Sequence, residues 1–396
     1  MNKVFLKPNR EKSLLKRHPW VYSGAIARVE GDCLNGSTVE VYSSKGDFLA
    51  LAAVSLKSQL ALRVWSFDRD TNIDDGFFAE KMRAAFDFRN LLAIPESTSA
   101  WRLCASESDG LPGVTVDIYN DYAVMQLTSA GADFQREALV KALQKLKNWR
   151  GIYERSDVSI RKYEQLPLRC GVLDGSAPPE LLEVTEENRK FYVDVINGHK
   201  SGFYCDQRES RSAVQKFAAG RKVLNLFCYT GGFGIAAALG GAAEVVNVDT
   251  SAPALAMAQK NFELNNIAPD KYRNVEADCF SYLRKCRGEK QHYDLIVLDP
   301  PKLVDSMKNM NKGCRAYKDA MLQAFHLLKR GGMLFTFSCS GLVTAELFAK
   351  IAADAACDAA CDARIIGTLG QGADHPVATN FPEARYLKGL MIVRNN

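Results

Sequence analysis

Hydrophobic positions change their period twice along this chain. From residue 4 to about 67 they fall into short β-type runs, 20–22, 38–42, 48–51 and 60–65, parted by turn-forming residues, which predicts a small β-barrel. Over 75–92 the apolar residues Phe77, Phe78, Met82, Ala85, Phe86 and Phe88 recur at helical spacing. Strand-like runs at 113–118 and 123–127, a helical pattern at 134–146 and a strand at 151–154 then predict a small α+β domain. A Gly- and Pro-containing stretch, 171–179, reads as the connection to a last unit. There, after a short β region at 190–196, strands at 223–227, 244–248, 295–298 and 333–337 alternate with helices at 232–239, 252–264 and 317–328. Such alternation predicts a doubly wound, Rossmann-like α/β sheet, so the expected organisation is a multidomain chain: barrel 1–72, α+β middle domain 73–182, α/β domain 183–396.

Two strand ends carry chemistry. The run 295–298 stops at Asp299-Pro300-Pro301-Lys302, and the run 333–337 stops at Ser338-Cys339-Ser340-Gly341. Parallel strands open at their carboxyl ends onto a ligand crevice, so both motifs are expected to face one site. Adjacent prolines fix two φ angles and remove two backbone donors, giving a stiff ledge lined by carbonyls that suits a planar base. Cys339 would place a thiol beside that ledge. A thiol matters because C5 of a pyrimidine is a poor nucleophile until a catalyst adds at C6, which a thiolate can do. Taken alone, Cys339 fits an inert buried thiol better than a nucleophile, and it is the strand-end context that favours the nucleophile.

Further upstream, the strand 223–227 breaks into Cys228-Tyr229-Thr230-Gly231-Gly232 before a helix, a turn that lets a ligand approach the backbone and the positive helix end. Asp249 ends the next strand, where a carboxylate can accept hydrogen bonds from ribose hydroxyls, and Asp278 follows the run 274–277. A glycine turn with a downstream acid fits NAD as well.

Composition narrows the class. With 47% hydrophobic and 24% charged residues over 396 positions, the chain is ordinary soluble globular protein. No apolar stretch approaches transmembrane length and the N-terminus lacks a signal-peptide core, so a cytoplasmic protein without a membrane partner is expected. Eleven cysteines scattered without a paired framework point to free thiols in a reducing compartment. Cys357 and Cys361 lie close in the Ala-rich helical stretch 351–363, with no neighbouring ligands to make a zinc site, and no metal is expected. The net charge of +5 is unevenly spread: Lys3, Lys7, Arg10, Lys12, Lys16 and Arg17 stand against Glu11 alone. That bias fits a polyanionic partner or a solvated basic tail.

The segment Arg17-His18-Pro19-Trp20-Val21-Tyr22-Ser23-Gly24-Ala25-Ile26 resembles a PUA domain, a small RNA-binding barrel; as an ordinary barrel, the same segment would bury Trp20 and Tyr22 in its core. The ordered motifs VLNLFCYTGGFG, VVNVDTS, EADCF, LDPPK and FTFSCSG resemble the S-adenosylmethionine-dependent class I methyltransferases. With the HKSGFYCDQR segment at 199–208, nearly the whole chain resembles the bacterial large-subunit (23S) ribosomal RNA cytosine-C5 methyltransferases. The resemblance implies S-adenosylmethionine as cofactor, its methionine part at Phe227, Cys228, Thr230, Gly231 and Gly232, its ribose at Asp249 and its adenine near Asp278. It also implies 23S ribosomal RNA as partner, the target base at Asp299, Pro300, Pro301 and Lys302, with Asp299 bordering the cofactor too, and Cys339 as nucleophile.

Tyr229 and Asn225 depart from the wider methyltransferase pattern, the one replacing a glycine and the other an acid. Families with two cysteines carry one after the fourth-motif proline, where this chain has Lys302. The base that removes the C5 proton is therefore open among Asp299, His375 and Glu383. Three other functions compete: a uracil-C5 methyltransferase, a non-catalytic RNA-binding or ribosome assembly factor, and an NAD oxidoreductase. A homo-oligomer is compatible with the sequence, and no internal repeat of solenoid period is present.

Overall fold

The computed structural model describes residues 2–396, and the chain divides into two compact units. One runs from the start of the chain through Val184 and also takes in Val193–Cys205 and Ala373–Ala384. The other comprises Thr185–Tyr192, Asp206–Gly372 and Arg385–Asn396.

The first unit begins with β1 (Lys3–Leu6), the short helix α1 (Lys12–Leu15), β2 (Trp20–Tyr22), β3 (Ile26–Glu30), β4 (Thr38–Tyr42), β5 (Phe48–Val54) and β6 (Leu60–Ser66). They form one sheet in the order β2-β6-β5-β4-β1-β3, with β1 and β4 parallel. Alternation along the strands sends Val4, Leu6, Val39, Val41, Leu62 and Val64 into one core. Of the two aromatics that an ordinary barrel would bury, Trp20 is partly buried, whereas Tyr22 is 56% exposed.

Next come α2 (Asp75–Leu91), capped by the Asp74 carboxylate on the Gly76 and Phe77 amides, and α3 (Ile94–Ser97). Then follow β7 (Ala100–Ala105), β8 (Val114–Tyr119), β9 (Tyr122–Leu127), α4 (Ala130–Phe134), α5 (Arg136–Gln144), β10 (Gly151–Ser156) and β11 (Arg169–Gly175). The sheet order is β11-β10-β9-β8-β7. Where the sequence predicts one helix over 134–146, the chain makes two, breaking at Gln135, and α4 starts early because Ser129 caps it on the Ala132 amide. The stretch read as a connection is in part the edge strand β11. Ala53 and Trp65 of the preceding sheet pack into the core built by Phe78, Met82, Leu103 and Leu139.

A ribbon of β12 (Leu182–Glu186) and β13 (Arg189–Val193) leads to the second unit. That unit contains α6 (Arg208–Phe217), β14 (Lys222–Leu226), α7 (Gly232–Leu239), β15 (Glu244–Asp249), α8 (Ala252–Leu264), β16 (Tyr272–Glu276), α9 (Cys279–Gly288), β17 (Tyr293–Leu298), α10 (Met310–Leu327), β18 (Leu328–Ser338), α11 (Ala345–Asp358), β19 (Ala363–Leu369) and β20 (Lys388–Arg394). The strand order is β16-β15-β14-β17-β18-β20-β19, parallel except where β20 pairs with β18 and β19. Order reverses between β14 and β17, the switch point at which a doubly wound sheet opens a crevice. Strands buried on both faces read as continuous apolar runs, as 295–298 does.

Buried asparagines interrupt those runs in register, although Asn225 Oδ1 at the end of the row keeps no partner among the described residues. Asn225 Nδ2 donates to Asn247 Oδ1 over 3.0 Å, and Asn247 Nδ2 donates to Asn274 Oδ1 over 3.0 Å, a ladder across β14, β15 and β16. Asn225 is therefore engaged inside the sheet. The helical pattern at 317–328 begins earlier, at Met310, and the Ala-rich stretch at 351–363 splits into the end of α11 and the start of β19.

Candidate active site

Every cofactor and catalytic residue expected from the second unit's motifs lies at or just beyond the carboxyl end of one of its parallel strands. Phe227 to Gly232 follow β14, Asp249 closes β15, Asp278 follows β16, Asp299 to Lys302 follow β17 and Cys339 follows β18. The crevice between β14 and β17 is thus flanked by the glycine turn on one side and the Asp299 ledge on the other.

The turn after β14 is wound tightly. Phe227 (φ 59), Tyr229 (φ 47) and Gly231 (φ 84) all take left-handed backbone, which costs the two side-chain-bearing residues of order 1–3 kcal/mol each. What holds them there is hydrogen bonding. The Phe227 amide points at Cys279 Sγ (3.2 Å), the Cys228 amide donates to Val248 O (3.1 Å), and the Tyr229 amide donates to Asp249 Oδ2 (2.8 Å). Asn261 Nδ2 donates to Thr230 O from α8. At Gly231, the cap of α7, a Cβ would sit 3.1 Å from that of Ala258, and at Gly234 it would lie 2.2 Å from Asn247 Oδ1. Glycine at 234 lets α7 approach the sheet and at 231 lets the turn approach α8, with the positive end of α7 toward the crevice.

Asp249 anchors this geometry as well as facing the crevice. Oδ2 takes the Tyr229 amide and Oδ1 the Ser251 amide, 3.0 Å away, so each oxygen retains lone-pair capacity for a second donor. Asp278 caps α9, its Oδ1 accepting from the Ser281 amide at 2.8 Å, and those bonds hold its carboxyl below the usual range. Burial pushes the Cys228 thiol well up, and it pushes the Cys279 thiol up to about 12, so neither is a nucleophile at neutral pH.

On the other side of the crevice, Gln207 Nε2 donates to Asp299 Oδ2 over 3.1 Å. Pro300 is buried while Pro301 and Lys302 are exposed, so the ledge shows its outer rim to solvent. Leu298 pairs with Thr336, which makes Asp299 and Cys339 emerge from neighbouring strand ends. Cys339 is partly buried, and the hydroxyls on either side are locked: Ser338 Oγ donates to Tyr317 Oη (2.9 Å), which also bonds Ser340 Oγ (3.1 Å). Ser340 Oγ in turn accepts the Val304 amide. Two residues of this region were not singled out from the sequence. Gln207 lies within the HKSGFYCDQR segment, and Lys388, whose Nζ donates to Ser340 O, opens a strand whose middle is apolar.

His375 and Glu383 belong to the first unit, where His375 Nδ1 bonds Asp374 Oδ1 (3.0 Å) and Glu383 Oε1 bonds His18 Nε2 (3.2 Å). Among the described residues no group of His, Cys, Asp and Glu side chains is arranged to hold a metal ion. No helix among them is long and apolar enough to cross a membrane.

The family model of S-adenosylmethionine-dependent methyltransferases matches residues 114–362, and that of PUA-like domains matches 4–67. The ribosomal RNA large subunit methyltransferase I of Erwinia tasmaniensis is 49% identical over 388 residues, covering 98% of both chains. That of Aeromonas salmonicida is 49% identical over 389 residues, again 98% of both. This chain belongs to the ribosomal RNA large subunit methyltransferase I family. It is an S-adenosylmethionine-dependent methyltransferase with a PUA-like barrel and a Rossmann-like α/β domain. Among solved structures, a Streptococcus mutans protein assigned to the S-adenosylmethionine-dependent methyltransferases shares the fold along its whole length, with a TM-score of 0.85 and 25% identity over 99% of this chain and all of that one. A second, solved as a complex with S-adenosylhomocysteine, has a TM-score of 0.86 at 24% identity over 99% of this chain and 100% of that one. For this methyltransferase I family member, the NAD reading of the glycine turn is thereby set aside.

Proposed function

We propose that the protein methylates C5 of a cytosine in large-subunit (23S) ribosomal RNA through a covalent adduct on Cys339. The observation that carries this reading is the placement of Asp299-Pro300-Pro301 and Cys339 at adjacent parallel strand ends beside the switch-point crevice. The substrate class follows the relatives, each a ribosomal RNA large subunit methyltransferase I. The basic, PUA-like start supports RNA as the partner.

S-adenosylmethionine, when bound, supplies an electrophilic methyl group. The residues present fit it: the turn 227–231 brings left-handed backbone to the crevice, the positive end of α7 would suit a methionine carboxylate, and both Asp249 oxygens could take ribose hydroxyls. Phe227, Cys228, Thr230, Gly231 and Gly232 would line the methionine part, Asp278 the adenine, and Asp299 would border both ligands. The Pro300-Pro301-Lys302 ledge would hold the flipped base, since C6 is reached only when the ring leaves its stack. The Cys339 thiolate would add to C6, and the electron pair of the C5=C6 bond becomes available at C5 to take the methyl group, whose bond to the donor sulfur breaks with its electron pair left on that sulfur. A base then removes the C5 proton, its electron pair re-forms C5=C6, and the sulfur departs with the C6–S pair. In this reading residues 1–72 bind RNA, 73–182 form the middle domain and 183–396 carry the transfer.

The test is nucleoside mass spectrometry of 23S ribosomal RNA from cells lacking the protein. Loss of one 5-methylcytidine, restored by the purified enzyme with S-adenosylmethionine, is expected. Loss of a 5-methyluridine instead would move the reaction to uracil, and an unchanged nucleoside profile would favour a non-catalytic role.

A further inference from the structure

Lys388 is a lysine buried beside the candidate nucleophile. It opens β20, pairs with Ser338 of β18, and is 7% exposed. Its Nζ donates to Ser340 O at 2.6 Å and to Tyr386 O at 2.8 Å, and among the described residues no carboxylate pairs with it. Buried lysines are normally paired, because desolvation penalises the charged form. Here burial pulls the ammonium down, while charge on Cys339 pulls it back up. Other ionisable groups nearby in this unit include Tyr317 on α10, pushed up by burial, and Tyr386, whose hydroxyl donates to the Asp206 carboxylate.

We propose that Lys388 is the base that removes the C5 proton. This rests on the Cys339 reading above and completes it. Strand order supplies the stereochemical argument: the cofactor turn follows β14, the ledge follows β17, Cys339 follows β18, and Lys388 lies on β20 beyond it. A ring seated on the ledge meets the methyl group on its β14 side and the thiol on its β18 side. The proton left at C5 therefore projects toward the side of Cys339, which is the side of Lys388. A neutral lysine has two N–H bonds and one lone pair. The two carbonyls take the former, leaving the lone pair to accept a proton.

The proton balance closes. Thiolate attack passes the charge of Cys339 to the ring and methyl transfer cancels it, so the charge that favoured the ammonium is gone and Lys388 releases its proton to solvent. It then accepts the proton from C5 while the C5–H electron pair re-forms the double bond and the thiolate leaves beside the new ammonium. By contrast Asp299 is held on its ledge by Gln207.

The experiment uses full-length Lys388→Met and Lys388→Gln with undermethylated 23S ribosomal RNA and radiolabelled S-adenosylmethionine. Glutamine retains two N–H donors for the carbonyl anchors but is not basic, so it serves where methionine disturbs the fold. Turnover should drop about 100-fold or more, the usual contribution of a general base, and labelled RNA should accumulate covalently on the protein because methyl transfer proceeds but elimination does not. Turnover within tenfold of the parent, or lost turnover without labelled adduct in a variant that binds the cofactor normally, overturns the proposal. Wild-type protein with RNA carrying 5-fluorocytosine separates the two readings. Trapping there with no adduct in the Lys388 variants removes Lys388 alone, whereas absence of wild-type trapping removes the Cys339 mechanism on which it rests.

Discussion

Gln207 and Asp299 meet across 3.1 Å, amide nitrogen to carboxylate oxygen, joining the segment before α6 to the end of β17. Gln207 is 3% exposed and its Oε1 has no hydrogen-bond partner among the described residues. Its side chain therefore acts through the bond to Asp299 Oδ2, which helps orient that carboxylate beside the proposed base ledge. Gln207→Leu should lower kcat/KM for methyl transfer about tenfold, the equivalent of about 1.4 kcal/mol, with the fold retained. Steady-state kinetics with a parallel melting curve checks this, and unchanged kcat/KM in a folded variant would show that the bond is structural only.

Asp249 is the next exposed point of the account. Its two oxygens already hold the Tyr229 and Ser251 amides, so removing the carboxylate loosens the turn and would delete the proposed ribose acceptor. Charge-assisted bonds contribute roughly 1.5–3 kcal/mol each, so Asp249→Ala should weaken S-adenosylmethionine binding by more than tenfold. Calorimetry gives the affinity directly, and a wild-type value in a folded Asp249→Ala protein would contradict the assignment.

The basic start of the chain is better probed by substitution than by deletion, because Ala53 and Trp65 help build the core of the neighbouring sheet. Lys12 and Lys16 are exposed on and beside α1. Lys12→Glu with Lys16→Glu should weaken RNA binding and reduce the slope of log affinity against log salt by about 0.7 for each phosphate no longer neutralised, with cofactor affinity intact. An unaltered slope would place the RNA-binding surface elsewhere.

Glu186 carries a stability prediction with a definite sign. It is fully buried; burial alone would raise its pKa, but Arg211 and Arg189 outweigh that and hold it below the ordinary value. A carboxyl whose folded pKa is depressed contributes stability above its unfolded pKa, about 4.3, and loses it as pH falls through the lower folded value. Glu186→Gln should cost about 3–5 kcal/mol at neutral pH by leaving two buried guanidiniums short of charge, and the acid limb of its stability curve should be flatter. Denaturant melts at pH 7 and pH 4 read both quantities.

How much of the structure is legible in the sequence varies with the physics of each element. The α/β core is, because strands buried on both faces, such as 295–298, leave uninterrupted apolar runs that stop at their chemistry. β19 and β20 are not legible: exposed Ile365 and Ile366 give an edge strand no clean alternation, and β20 carries a lysine at its start. The same lysine is intelligible only once the antiparallel pairing sets it opposite Ser338. Cys339 and Asp249 stand out as polar residues closing apolar runs, whereas Gln207 gives no periodic signal. Asn225, which departs from the methyltransferase pattern by replacing an acid, donates within the asparagine ladder, a partnership that needs three strands in register.

The central claim is that Cys339 forms a covalent bond to the target base. RNA carrying 5-fluorocytosine at the target, incubated with S-adenosylmethionine, measures this directly, because fluorine cannot leave C5 as a proton does and the adduct persists. Wild-type protein should shift to a denaturation-resistant protein–RNA band, while Cys339→Ala should form none, retain cofactor affinity and lose methyl transfer. Near-normal turnover by Cys339→Ala, or no trapped band with wild-type protein that methylates ordinary RNA, would contradict covalent catalysis and transfer the argument to a ring-nitrogen or amine target on the Asp299 ledge.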